Sequence, residues 1–331
     1  MLKYLSPLGL ILWVGIIYAD PILPDPLKSW NEGEAKNKIL EYVEEVTSVG
    51  GKNFIPAEDR IATFDEDGTL WVEQPIYPEF FFAFEIIRKK AHEHPEWKKE
   101  EPFKSILEGN REAILKLSKE DIIKIMAISH ANVDIEEFQT QVKDWIEKAR
   151  HPKFDRPFTE LVYQPMLEVM HYLKKKGFDV YIVSGGGQEF IRSFAEKLYG
   201  IQPSHVIGTA RKIQYEYNEG KPKLIKLPEV LFIDDKSGKP ESINLIIGKR
   251  PVIAFGNSIG DQQMLEWTQG GKRKSLMLLV HHDDEKREYA YDKDSKVGTF
   301  SDALKSEALK QNWIIISMKN DFKVIFSWEK P

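Results

Sequence analysis

Two aspartates, Asp65 and Asp67, stand where an apolar, strand-like run at residues 61–64 ends. A carboxylate is costly to remove from water unless a cation or a hydrogen-bond donor meets it, and two carboxylates this close resist ionising together. A divalent cation held by oxygen ligands meets both conditions. The alternative is an ordinary turn with solvated acids, because the Asp67-Gly68 pair is a common turn signal.

Three more polar turns follow apolar runs further along the chain. They are Ser184-Gly185 after residues 178–183, Gly256-Asn257-Ser258 after residues 251–255, and His281-His282-Asp283-Asp284 after residues 276–280. Helical patterns separate these runs, and this alternation predicts an α/β fold, a doubly wound parallel sheet with helices on both faces. Ligands of such sheets bind beyond the carboxyl ends of the strands, so all four turns should lie at one edge of the sheet.

One long segment interrupts the alternation soon after the acid pair. Residues 75–158 are almost wholly helical in pattern and include the aromatic run Phe80–Phe84. We predict that this segment is an inserted helical cap and that residues 20–74 and 159–331 form the α/β core. The aromatic run is typical of a buried helix face, and one or two of its rings could line a pocket below the cap.

The N-terminus has the features of an export signal. Residues 1–19 combine a positive charge at Lys3, an apolar stretch and a plausible cleavage point after Ala19. The apolar stretch is short for a membrane-spanning helix, so we predict an exported, periplasmic protein without a stable span after cleavage. Secretion and an uncleaved anchor are the alternatives.

Composition limits the classes of function. The chain has 331 residues, 42% of them hydrophobic, and a formal net charge of −5. Its Lys and Arg residues are scattered among acids, so we expect no nucleic-acid partner. The absence of Cys excludes disulfides and a lipid-modified Cys. Oligomeric state is not indicated.

A resemblance to a known family follows from the order of the motifs. Asp65-Glu66-Asp67-Gly68-Thr69, Ser184-Gly185, Lys239 before a helical pattern, and G-N-S-I-G-D at 256–261 resemble the four motifs of the haloacid dehalogenase superfamily of phosphotransferases. The likeness is greatest to phosphoserine-phosphatase-like members, whose core is Rossmann-like. Longer segments, including V-H-H-D-D at 280–284, resemble a group of exported bacterial members. In that group we expect Asp where this chain has Ile259.

The resemblance implies a catalytic role for three residues. Asp65 would attack phosphorus and form an aspartyl-phosphate. Asp67 would protonate the leaving alkoxide and then deprotonate the attacking water. Lys239 would offset the charge of Asp65 and of the phosphate, with Lys236 as the alternative lysine.

The resemblance also implies a Mg²⁺ site and a substrate site. Mg²⁺ would be held by Asp65, the Asp67 carbonyl, and either Asp261 or Asn257, and Asp261 is preferred because it is acidic. Asn257 could instead cap the following helix. The expected contacts to a small phosphorylated substrate are Thr69, Ser184, Gly185 and Asn257.

The implied function is a Mg²⁺-dependent phosphomonoester hydrolase that acts on a small organic phosphate. The alternatives are a non-catalytic phosphate or metal binder on the same fold, and a phosphonate or carbon–halogen hydrolase. Asp67 argues against the latter, because dehalogenases of the superfamily lack this second Asp. A zinc site at His281–Asp284 is disfavoured, since neighbouring strand residues point to opposite faces. We expect that segment to border the site, with Arg287 as a possible anion contact.

Overall fold

The computed structural model describes residues 25–330. The predicted signal peptide at residues 1–19 lies outside this range. Among the helices of residues 25–330, none has both the length and the apolar character needed to cross a bilayer.

The centre of the molecule is an eight-stranded sheet in the order β2-β5-β4-β3-β1-β6-β7-β8. Strands β4, β3, β1, β6, β7 and β8 run parallel, whereas β5 is antiparallel to β4 and β2 to β5. The strands are β1 (Ile61–Phe64), β2 (Val133–Asp134), β3 (Asp179–Gly187), β4 (Val206–Asn218), β5 (Lys221–Phe232), β6 (Ile253–Gly256), β7 (Leu276–His281) and β8 (Ile314–Ser317).

Helices cover the sheet. Those of the described residues are α1 (Glu34–Thr47), α2 (Pro78–Lys90), α3 (Phe103–Glu108), α4 (Arg111–Ile114), α5 (Lys119–His130), α6 (Ile135–Ile146), α7 (Gln164–Lys175), α8 (Gln188–Arg192), α9 (Ala195–Tyr199), α10 (Gly238–Ile246), α11 (Gln262–Gln269), α12 (Asp302–Lys310) and α13 (Met318–Asp321).

Both faces of the parallel sheet are buried, because alternate strand residues enter two different apolar clusters. Phe64 and Phe255 stack with ring centroids 4.4 Å apart in the larger cluster, which α1 and α7 complete. Val183 and Ala254 lie in the second cluster with apolar residues of α10, α11 and α12. Burial on both faces explains why the strands are continuously apolar. The predicted doubly wound α/β fold is confirmed.

The segment between β1 and α7 forms α2 to α6 and the short strand β2. It has an apolar cluster of its own, which includes Phe84, Trp97 and Phe103. Helices α2 and α6 also pack on the main core through Phe82 and Phe138. The inserted helices are therefore anchored to the sheet by aromatic side chains.

Strands β4 and β5 form a long hairpin that extends the sheet beside the inserted helices. The hairpin turns at Glu219-Gly220, with φ values of 52° and 79° between the paired residues Asn218 and Lys221. Two successive residues with positive φ are typical of a tight hairpin turn. The returning strand β5 then pairs with β2, which joins the hairpin to the inserted segment.

Candidate active site

Asp65 lies at the carboxyl end of the central strand β1. Its backbone N–H donates to the Phe255 carbonyl of β6 at 2.9 Å, which continues the sheet one residue beyond the strand. The side chain is 6% exposed and lines a cavity of about 480 Å³. Asp67 and Ser184 line the same cavity. The carboxyl ends of the neighbouring strands β1 and β3 therefore bring these predicted site residues together.

Lys239 joins the carboxylates of the site. Its Nζ donates to Asp65 Oδ1 at 2.6 Å, to Asp261 Oδ1 at 2.6 Å and to the Val183 carbonyl at 2.8 Å. Burial alone would lower the pKa of Lys239, but the carboxylates of Asp261 and Asp65 raise it, so the ammonium stays charged. All three of its N–H groups are occupied. The alternative lysine, Lys236, is exposed.

Asp261 positions Lys239 and the turn after β6. Its Oδ2 accepts hydrogen bonds from the backbone N–H groups of Asn257 at 2.9 Å and Ser258 at 3.0 Å. The absence of a side chain at Gly256 makes this possible, because a Cβ there would lie 2.4 Å from Asp261 Cβ. Both carboxylate oxygens are thus engaged within the protein. Asp261 also lines the cavity, so its role as the acidic Mg²⁺ ligand stays a prediction.

Thr69 and Asn257 do not reach the cavity. Both are buried, and Thr69 Oγ1 donates to Asn257 Oδ1 at 3.3 Å. The side-chain amide of Asn257 donates to Glu73 Oε1 at 2.6 Å. Neither side chain is among those lining the cavity. The structure therefore places them as supports of the loop after β1, and not as the substrate contacts expected from the sequence.

Glu73 is a site residue that the sequence did not indicate. Its Oε1 also accepts a hydrogen bond from Tyr291 OH at 2.6 Å. The carboxylate fits between Gly68 and Gly298, whose φ values are 74° and 64°, and a Cβ on either glycine would lie within 2.3 Å of Oε1. Burial raises the pKa of Glu73 well above its usual value. Its position was not predictable because Tyr291 and Gly298 are distant in sequence.

The segment after β7 contacts the loop after β1 through His282. His282 Nε2 lies 2.7 Å from the Gly68 carbonyl, and His282 Nδ1 lies 3.1 Å from Glu288 Oε2. Tyr163 OH donates to the other oxygen of Glu288 at 3.3 Å. An imidazole held between a carboxylate and a carbonyl is fixed in orientation. This segment borders the site as expected, but its histidine acts on the backbone.

Arg287 does not act as an anion contact. Its guanidinium donates to Asp284 at 2.6 Å and to the carbonyls of Met318 at 2.9 Å and Phe322 at 3.0 Å. These bonds tie the segment after β7 to α13 and the residue that follows it. The expectation from the sequence was wrong because the carbonyl partners lie more than 30 residues away, as the separations of 31 and 35 residues show.

A bulge at the end of β3 forms the predicted Ser-Gly turn. Ser184 pairs with Gly208 of β4, whereas Gly187 pairs with the next residue, Thr209, so Gly185 and Gly186 have no partner in the register. Ser184 Oγ accepts the Gly186 N–H at 3.1 Å, and Gly185 is exposed. The bulge thus presents backbone at the cavity, where Ser184 and Gly185 both lie.

Glu66 stands between Asp65 and Asp67 in the sequence, and its side chain has a different partner from that of Asp67. Glu66 turns away and accepts from Tyr199 OH at 3.2 Å, whereas Asp67 Oδ1 accepts from Trp71 Nε1 at 2.7 Å. Burial raises the pKa of Asp67 to about 7, although the bond from Trp71 opposes this. A carboxyl group with this pKa can hold or release a proton near neutral pH.

The acids of the site fit a divalent cation, although no cluster of three His, Cys, Asp or Glu ligands is present in residues 25–330. Burial raises the pKa of Asp65, Glu66, Asp67 and Glu73, and Lys239 is the cation that touches Asp65. This excess of negative charge and the all-oxygen donors suit Mg²⁺. The assignment of Asp65 and the Asp67 carbonyl as ligands stays a prediction.

Other cavity-lining residues were missed by the sequence-based prediction. They include Glu79 and His130 of the inserted helices, Arg211 and Lys226 of the β4–β5 hairpin, and Asp235 before α10. The sequence around these residues does not distinguish them from charged residues that are exposed to solvent. The ring expected to line the pocket is Phe80. Ile259, where an acid was expected, instead packs against the apolar cluster under α10 to α12.

Comparison with known proteins identifies the family. Residues 62–266, more than half of the chain, match the family model of the haloacid dehalogenase-like hydrolases. The chain therefore belongs to that family, as its motifs predict. No curated protein matches the sequence.

Solved structures with a similar fold have low sequence identity. A protein with unknown function from Bordetella pertussis Tohama I is 16% identical, with a TM-score of 0.50, and the match covers 78% of this chain and 97% of that one. A conserved functionally unknown protein from Anaerococcus prevotii DSM 20548 is 18% identical, with a TM-score of 0.53 and coverage of 88% and 94%. At such identities the likeness concerns the fold alone.

Proposed function

We propose that this hydrolase is a Mg²⁺-dependent phosphomonoesterase that acts on a small organic phosphate through an aspartyl-phosphate at Asp65. The observation that carries the proposal is the meeting of the Asp65 carboxylate, the Asp67 carboxyl group and the Ser184-Gly185 bulge in one cavity. These groups are a nucleophile, a proton carrier and an anion cradle. The predicted export signal would place the activity outside the cytoplasm.

The first step transfers the phosphoryl group to the protein. An oxygen of Asp65 attacks phosphorus, and the bond from phosphorus to the ester oxygen breaks. Lys239 holds Asp65 Oδ1 at 2.6 Å and so fixes the direction of its other oxygen. Asp67 gives its proton to the departing alkoxide, which a pKa of about 7 allows.

The second step returns the enzyme to its starting state. Asp67, now ionised, takes a proton from water, whose oxygen attacks phosphorus as the bond to Asp65 breaks. Inorganic phosphate leaves and both aspartates recover their original protonation states. The exposed backbone of Gly185 and the hydroxyl of Ser184, which both line the cavity, would contact the phosphoryl oxygens in both steps.

Mg²⁺ would be held by Asp65 and by the Asp67 carbonyl. When bound, it neutralises charge on the phosphoryl oxygens and on the nucleophile. Asp261, which also lines the cavity and whose Oδ1 accepts one hydrogen bond from Lys239, would be the acidic third ligand. Asp235, an exposed cavity residue, is a further carboxylate within the site.

Phosphate release from a panel of small phosphoesters tests the proposal. We expect turnover with Mg²⁺, loss of turnover on chelation, and loss by at least about 100-fold in Asp65→Asn and Asp67→Ala. Lys236→Met, at an exposed neighbour of the site, is the matched control and should keep full activity. A folded protein that binds phosphate tightly but turns over nothing would favour the non-catalytic alternative.

A further inference from the structure

The cavity has a second charged wall opposite in sign to the acids around Asp65. It is formed by Lys226 on β5 and Arg211 on β4, which both line the cavity. The hairpin carries these residues, whereas the residues of the phosphoryl site follow β1 and β3. The proposed chemistry uses neither cation.

Lys226 is a buried cation without a counter-ion. Its side chain is 4% exposed, and its Nζ lies 3.1 Å from the centroid of the Phe138 ring. Within residues 25–330, Nζ makes no hydrogen bond and no ion pair. A ring face stabilises an ammonium only in part, and a buried charge without a partner is costly. Burial accordingly lowers the pKa of Lys226 to about 7.

Glu79 and Glu189 favour the charged form of Lys226 through space, but neither is hydrogen-bonded to it. Glu79 Oε2 accepts the Gly187 N–H at 2.9 Å, and its Oε1 lies 3.0 Å from His130 Nε2, although that pair is poorly aligned for a hydrogen bond. Glu189 is held by Arg192 at 2.9 Å and by Gln139 at 2.9 Å. Neither acid therefore forms an ion pair with Lys226, and the positive charge faces the cavity.

Arg211 adds a second positive charge to the same wall. It is half-buried, and its hydrogen bond to the Pro228 carbonyl leaves the rest of the guanidinium without a partner among the described residues. Burial lowers its pKa, as expected for a cation removed from water without an ion pair. Apolar side chains, among them Phe80 and Met126, line the cavity together with both polar walls.

We propose that the leaving group of the substrate carries a second acidic group, a carboxylate or a phosphate, which binds Lys226 and Arg211. This inference rests on the proposed phosphatase function, because the phosphoryl group defines the other end of the substrate. The acidic group provides the missing counter-ion, and an apolar spacer contacts the apolar lining. An arginine can bind a carboxylate or phosphate through two parallel hydrogen bonds, which adds orientation to the charge pairing.

Calorimetric binding of unreactive phosphonates tests the inference without turnover. The ligands are alkylphosphonates of increasing chain length, each with a methyl group, a carboxylate or a second phosphonate at the far end of the chain. They are titrated into the Mg²⁺-loaded protein. We expect the best acid-terminated ligand to bind about 10-fold or more tightly than its methyl-terminated counterpart, as one charged hydrogen bond provides. The carboxylate and phosphonate arms distinguish the two acidic groups. Equal affinities across all three arms would overturn the inference.

Two variants separate recognition from folding. Lys226→Met keeps an apolar chain against Phe138 and should reduce the preference, with Arg211 providing what remains, while the affinity for the methyl-terminated ligand stays unchanged. Lys223→Met, at an exposed lysine of the same strand, should keep the preference. A preference of unchanged size in Lys226→Met would overturn the inference. The wild-type comparison decides the question even if Lys226→Met does not fold.

The matching phosphate esters distinguish failure of the inference from failure of the proposed function. Absence of hydrolysis with an intact binding preference would reject the phosphatase proposal and support the acidic subsite. Equal hydrolysis of alkyl and carboxyalkyl phosphates, unaffected by Lys226→Met, would reject the subsite and support the phosphatase. Selective loss of kcat/KM for the carboxyalkyl ester in Lys226→Met would support both.

Discussion

Replacing Lys239 by Met removes an ammonium that touches both Asp65 and Asp261. Lys239 is 2% exposed, and its Nζ lies 2.6 Å from an oxygen of each acid. Removing one partner of a buried ion pair typically costs about 3–5 kcal/mol, because the other charge remains buried. Two carboxylates lose their partner here, so we expect Lys239→Met to lower the free energy of unfolding by about 5 kcal/mol.

Urea unfolding followed by tryptophan fluorescence measures this effect. Lys236→Met changes an exposed lysine three residues earlier and should stay within about 0.5 kcal/mol of the wild type. In an Asp261→Asn background, the same Lys239→Met change should cost about 2 kcal/mol less, because one of the buried charges is already absent. This double-mutant comparison assigns the loss to the ion pair and not to the change of shape.

Catalysis should fall together with stability. Without Lys239, Asp65 loses its fixed direction and part of its compensating charge, so kcat should drop by about 100-fold or more even where the variant is folded. A Lys239→Met protein within about 1 kcal/mol of Lys236→Met, or one with wild-type kcat, would refute the proposed role of the buried ammonium.

Three further predictions concern other parts of the site. Tyr291→Phe removes a 2.6 Å donor to buried Glu73 and should cost about 1–3 kcal/mol of unfolding free energy, whereas Tyr217→Phe on the exposed hairpin should cost almost nothing. Gly298→Ala should destabilise by at least about 2 kcal/mol more than Gly220→Ala, since both glycines have positive φ but only Gly298 would place a Cβ 1.7 Å from Glu73 Oε1. For a carboxyalkyl phosphate, kcat/KM should fall as pH rises through about 7, because Lys226 binds the acid only when protonated, and the ratio to the alkyl phosphate should be flat with pH in Lys226→Met. The charged or titratable groups around Lys226 are Glu79, Glu189, Arg211 and His130, and a pH-independent ratio in the wild type would contradict this account.

The fold was predictable because its signal is repeated along the chain. Continuous apolar strands such as β1 and β7 require burial on both faces, and only a parallel sheet between helices provides it. The positions of Asp65, Ser184 and Asn257 after such strands predict that they meet at one edge. The role of Lys239 was predictable only through the family motif, since a single lysine before a helix can have many other roles.

Contacts between distant segments were not predictable. Glu73 depends on Tyr291 and Gly298, more than 200 residues later, for its buried hydrogen bond and for space. Lys226 stands in a strand where lysines alternate with apolar residues, a pattern also typical of a solvated strand, and its pairing with Val133 of β2 is a tertiary contact. Such side chains gain their chemistry from tertiary burial, which raises or lowers a pKa without leaving a local pattern.

The hydrogen bonds of Asp261 and Asn257 were unpredictable for the same reason. Both residues belong to a motif that suggests metal ligands, but the turn after β6 directs the Asp261 carboxylate onto two backbone N–H groups and Lys239. The side chain of Asn257 donates a hydrogen bond to Glu73 and accepts one from Thr69. A motif gives the residue types at a site, whereas the directions of their side chains depend on which buried donors need acceptors.

Chemical trapping of the covalent phosphate tests the central claim most directly. The enzyme is mixed with Mg²⁺ and a turned-over phosphoester, quenched, and treated with borohydride, which reduces an acyl-phosphate to an alcohol. The account predicts homoserine at position 65 in the peptide mass spectrum, dependent on substrate and absent in Asp65→Asn. Hydrolysis that proceeds with an unmodified Asp65, or with homoserine at any other aspartate, would contradict it.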